Sequence, residues 1–227
     1  MWSLLAAVFL VTLAMLAIRR ARKKAAKEFP VEGAFAKMLN MLQNEDVQNK
    51  CLDAKLRGLL VSNQINRNHT TKYGYMPADP IRVNGPLGEQ LYIAMLRGRE
   101  GQAVIGHRLG SLRNLDIYEI ATSDFAQWAV LFFDMYYLNK DTFAPSGFAM
   151  DEEGTRTLTA TNKFMAGFPK NFYSILIEST CEQIGFPLVN SSLSDIQSDG
   201  IMRPAAHHEL MNQIVVASRA EGIGMDS

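Results

Sequence analysis

Four histidines, two cysteines and a scatter of carboxylates are the groups in this sequence able to move protons, hold a metal or attack a carbonyl. His107 leads them. It shares parity with Ile105 and Leu109 in a β-rich run, which turns it toward an apolar face. There a histidine is either a neutral, hydrogen-bonded core side chain, the commoner outcome, or a base. Glu119 and Asp134 lie in neighbouring runs of aromatic and aliphatic residues, where burial raises a carboxyl pKa and suits it to act as an acid. Each also has a plainer use, pairing with Arg108 or closing a strand end. His107 with Glu119 or Asp134 is therefore the catalytic set the sequence offers, an acid and base suited to a hydrolase.

Other chemistries find less support. His207 and His208 are adjacent, and on a helix adjacent side chains diverge by about 100°, whereas one-faced metal ligands stand three or four apart. His69 stands alone in a loop and no H-E-x-x-H occurs, so no metal site is expected. There is no G-x-S-x-G; Gly110-Ser111 and Ser146-Gly147 read as turn pairs. Asn84-Gly85-Pro86-Leu87-Gly88 reads as a turn, matching neither the Walker spacing nor G-x-G-x-x-G, and no cofactor is expected. Cys51 and Cys181 form no C-x-x-C and read as small buried hydrophobes of a reducing compartment.

The scaffold begins with an apolar run, Trp2 to Ile18, broken only by Ser3 and Thr12. As a helix it reaches roughly 26 Å, the lower limit for a hydrocarbon core of about 30 Å. Arg19, Arg20, Arg22, Lys23, Lys24 and Lys27 follow it and suit anionic lipid headgroups. A signal peptide would carry its charges before the apolar run, and a buried soluble helix would show a polar stripe; neither fits. The expectation is a transmembrane anchor at 1–18 with the N-terminus outside, a basic juxtamembrane linker at 19–30, a cytoplasmic domain at 31–221 and a flexible tail at 222–227.

Charge narrows the partners. Lysine and arginine total 23, as do aspartate and glutamate. Setting aside the six basic residues of the flank leaves 17 against 23 acids, a net charge of −6. Nucleic-acid binding, which needs a cationic face, is disfavoured for the domain.

Within the domain, Phe35 to Leu60 is apolar at helical spacing, the stripe of one bent helix or two short ones. Ser62 to Asp79 is a loop whose Tyr73 and Tyr75 either form a recognition surface or pack the loop down. Four β-rich runs follow, Gln90–Leu96, Gln102–Leu109, Asp116–Thr122 and Trp128–Tyr137, with links short enough for an antiparallel meander. Both faces of the last run are apolar, which asks for helices to cover the sheet. Thr155 to Ala160 reads as a short strand. Pro169 to Gly185 reads as a helix buried through Phe172, Ile175, Leu176 and Ile184, and Pro204 opens a last helix to about Arg219 with Leu210, Met211, Ile214 and Val215 inward.

The sequence thus predicts an α+β fold: an N-terminal transmembrane helix, then one domain with an antiparallel β-meander packed by helices. Its leading function is a membrane-anchored interaction module that holds lipid through the anchor and a protein or small ligand through the domain. The alternative is a membrane-tethered hydrolase using His107 with Glu119 or Asp134. A third reading is an assembly subunit that self-associates through Phe35 to Leu60.

Overall fold

The computed structural model describes residues 70–137, 141–151, 157–198 and 200–220. The expected anchor, the basic linker, the Phe35 to Leu60 helices and the tail lie outside them. Along the chain run β1 (Ile81–Arg82), α1 (Gly85–Met95), β2 (Leu96–Arg97), β3 (Val104–Leu112), β4 (Leu115–Thr122), β5 (Trp128–Asp134), β6 (Ala149–Met150), β7 (Ala160–Thr161), α2 (Phe172–Ile184), a 3-10 turn (Ser191–Asp195) and α3 (Ala205–Ala220). Among these, no helix is long and apolar enough to cross a membrane.

The α+β class holds, and β3, β4 and β5 form the antiparallel meander. Two features differ from expectation. The first of the four runs, Gln90–Leu96, is mostly helix: Gly85 takes φ 70, Pro86 falls in the first turn, and the Asn84–Gly88 cluster opens α1 instead of forming a separate turn. Nearly every residue of α1 is buried, so no polar stripe marked it as helical. Second, the sheet is mixed. Its order is β1-β5-β4-β3-β7, with β1 and β7 added in parallel at the edges.

Alternation along the strands divides the core. Val104, Tyr118, Ile120, Leu131 and Phe133 pack with Tyr92 and Ile93 of α1 on one face. The opposite face packs Ile105 and Ala121 against Phe172 and Leu176 of α2, and Ile117, Val130 and Phe132 against Met211 and Ile214 of α3. Gly106 lets the strands close up, because a Cβ there would meet Ile120 Cγ2 at 2.9 Å and the Glu119 carbonyl oxygen at 3.0 Å. The hairpin between β3 and β4 turns at Arg113-Asn114, and a bulge at Leu109 sits just before it.

Both C-terminal helices form, but α2 begins at Phe172 behind an Asn171 N-cap and not at Pro169, which lies in the turn before it. Gly185 ends α2 in the left-handed conformation at φ 84. On α3, however, Leu210 is exposed, not inward, because the helix turns Met211 and Ile214 to the sheet instead. The Tyr73 and Tyr75 loop packs down: Tyr73 is buried and donates to Asp141 Oδ2 at 2.9 Å, and Tyr75 donates to the Ser146 carbonyl at 2.6 Å.

Candidate functional site

Register places His107 of β3 directly opposite Glu119 of β4, on the face covered by α2 and α3. Both side chains have zero exposure, and His107 Nε2 lies 2.7 Å from Glu119 Oε2. The other ring nitrogen, Nδ1, accepts the Met165 backbone N–H at 3.1 Å. That contact fixes the tautomer, with the proton on Nε2 donated to the carboxylate. Burial, against Phe168 at 4.6 Å between centroids, lowers the His107 pKa and keeps the ring neutral, although Glu119 opposes this.

Two further groups reach Glu119 from the C-terminal segment. Arg203 forks it, with Nε donating to Oε1 at 2.7 Å and Nη2 to Oε2 at 2.9 Å. His207, on the first turn of α3, donates Nε2–H to Oε1 at 3.0 Å. Each carboxylate oxygen therefore takes two donors, which fills its lone-pair positions. Burial alone would push the Glu119 pKa up, but the hydrogen bonds from His107, His207 and Arg203 outweigh it and hold the carboxyl well below the usual range. Arg203 also donates to the carbonyls of Ala166 at 3.1 Å and Met165 at 3.4 Å, tying the loop before α2 into the same cluster.

Asp134 is elsewhere. Glu119 pairs with Val130 on β5, and Asp134 lies four residues further along that strand, roughly 13 Å at a strand's rise. It stands beside Arg82 of β1 at the end of the sheet and lines a separate cavity. Arg108 goes to neither Glu119 nor Asp134; it forks Asp116, at 2.9 Å from both Nε and Nη2. His208 turns to Asn212 at 3.1 Å, away from His207, and the described residues hold no group of three metal-binding side chains.

No family model, curated protein or solved structure matches this chain. The chemistry of the site therefore rests on its own geometry.

On the other face of the sheet lies a second buried carboxyl that the sequence reading missed. Glu89 of α1 is fully buried and accepts from the Tyr118 hydroxyl at 2.9 Å through Oε2. Its Oε1 has no hydrogen-bond partner among the described residues, and neither has the amide of the next residue, Gln90. Burial, then the nearby Asp116 carboxylate, drive the Glu89 pKa well above the carboxylate range, so this group is a neutral acid. Its only signal in the sequence was a carboxylate inside an apolar run. Arg203 gave none, because nothing local links it to a strand 84 residues earlier.

In chemical terms, the Glu119 cluster has its base occupied and its carboxylate saturated. Three cavities among the described residues, beside Phe172, Phe125 and Arg82, are lined by neither His107 nor Glu119. The arrangement does what a buried, fully satisfied polar network does: it locks β3, β4, the loop before α2 and the start of α3 in one geometry.

Proposed function

We propose that this chain is a membrane-anchored interaction module: residues 1–18 hold it in the bilayer, Arg19 to Lys27 bind anionic headgroups, and the α+β domain engages a partner in the cytoplasm without catalysing a reaction. The observation carrying the non-catalytic part is the saturation of Glu119 by Arg203, His107 and His207, with His107 Nδ1 taken by Met165. A general base needs a free lone pair within reach of substrate. Here both imidazole nitrogens are engaged inside the core. The anchor is supported by the Trp2 to Ile18 run and the basic residues behind it.

Two experiments test this reading. Full-length protein is expected to stay with membranes through a carbonate wash, and a variant lacking residues 1–24 to be released; release of both overturns the anchor. A panel of ester and peptide substrates is expected to show no turnover. The second reading, a tethered hydrolase, is favoured by the 2.7 Å contact between His107 and Glu119. Turnover that vanishes in His107→Gln while the melting temperature holds would establish it in place of the first.

A further inference from the structure

Helix α1 carries polar groups into the core without satisfying them. Glu89 Oε1 and both polar atoms of the Gln90 amide are fully buried and have no hydrogen-bond partner among the described residues. A buried polar group left unpaired costs free energy that water would return, so these atoms bias the helix toward opening. Two glycines in its first turn, Gly85 and Gly88, weaken it further.

The charged groups acting on Glu89 lie across from it on the sheet, Arg108 on β3 and Asp116 on β4. Arg108 is already engaged: Nε and Nη2 fork Asp116 at 2.9 Å, and Ser111 Oγ donates to the same carboxylate at 2.6 Å. The Tyr118 hydroxyl, at 2.9 Å, is the one donor to Glu89 among the described residues. Phe133 of β5, Ala160 of β7, and Leu158 and Ile184 beside Leu87 and Leu91 bring no titratable side chain to the helix. An ionised Glu89 would therefore set a second carboxylate near Asp116 with the local cation spent. The protonated acid fits the space as it stands.

We propose that Glu89 is a proton-operated latch: as the neutral acid it seats α1 on the sheet, and loss of the proton lets Gly85–Met95 open while the opposite face stays closed. Opening presents Tyr92 and Ile93, both buried against the sheet, to solution. The freed side chain ionises at about 4.3 and the seated one does not, so opening releases a proton and its equilibrium rises about tenfold per pH unit. The Glu119 cluster, on the opposite face, takes no part. The latch stands independently of the anchor and of any partner.

Hydrogen exchange of full-length protein in detergent, read as protection factors from pH 7 to pH 8.5, tests this above the titrations of His107 and Glu119. Amides of α1 are expected to be less protected than those of α2, and to lose about tenfold in protection per pH unit. Glu89→Gln keeps the shape without a titrating proton, and is expected to hold α1 protection level across the range. Glu89→Met, also chargeless, is expected to do the same. Equal protection of α1 and α2 at every pH would mean that the helix opens only with the whole domain, which overturns the latch. A wild-type profile without the fall, or a fall of the same steepness in folded Glu89→Gln, overturns it as well.

Discussion

Tyr118 and Glu119 are neighbours on β4 and point to opposite faces of the sheet, each into a buried carboxyl site. On one side Glu119 receives four donors from Arg203, His107 and His207; on the other Glu89 receives one, the Tyr118 hydroxyl. Neither residue is exposed to solvent. The difference is the supply of donors. Where they are plentiful the carboxylate stays charged and becomes a structural hub; where they are scarce burial wins and the group keeps its proton. Burial alone therefore does not say which state a core carboxyl adopts.

The largest effect should come from removing the charge at the hub. Glu119→Gln leaves Arg203 in a mostly buried position without its counter-ion, and is expected to cost about 3–5 kcal/mol in urea unfolding. A loss below about 1 kcal/mol would show that the cluster does not hold the strands and α3 together. The matching change on the other face, Glu89→Met with Tyr118→Phe, removes both partners at once and is expected to be nearly neutral by the same measurement. Equal losses at the two sites would erase the contrast.

Acid and alkali should separate the sites next. In the fold, burial lowers the His107 pKa below its ordinary value of about 6.5, so on acidification the unfolded chain takes up a proton that the folded one refuses. Stability falls as pH drops through that value. Glu119, held below its ordinary value of about 4.3, contributes fully above it and loses that contribution as pH falls further. Glu89 runs the other way: its pKa is raised by burial, so above about 4.3 the unfolded chain releases a proton that the folded one keeps, and stability declines with rising pH. Unfolding measured from pH 2 to pH 8 should show Glu119→Gln flattening the limb below about pH 4.3 and Glu89→Gln flattening the limb above it. Glu89→Gln leaving the pH profile unchanged would mean that Glu89 is ionised in the fold.

Smaller shifts complete the series. His207→Ala removes one of the four donors to a buried carboxylate and is expected to cost about 1.5–3 kcal/mol, under Glu119→Gln. Asp134→Asn, remote from both carboxyl sites, is expected to change stability by less than about 0.5 kcal/mol. A large loss there would tie the sheet end to the hub.

How much of this was legible in the sequence follows from which signals are local. Alternation along β3, β4 and β5, the closing Gly185 of α2 and Pro204 ahead of α3 are local, and each placed its element. The parity of His107 placed it on an apolar face, while the register that sets it opposite Glu119 comes from the strand pairing itself. Helix α1 escaped because burial on all sides erases the period that separates helix from strand, leaving only Gly85-Pro86 to announce it. Parallel edges escaped too, since β1 and β7 are two-residue strands whose partners are set by tertiary packing. Arg203 and His207 were beyond reach for a different reason: the sequence showed their types, but their contact with Glu119 spans 84 and 88 residues.

That span matters as the polypeptide is being made. Strands β3 and β4 leave the ribosome well before Arg203 and His207 exist, so a nascent chain holds Glu119 with a single histidine for company. Any product terminated ahead of Arg203 would keep its sheet-forming sequence yet carry at its centre a carboxyl short of donors, a defect that quality-control proteases are well placed to find.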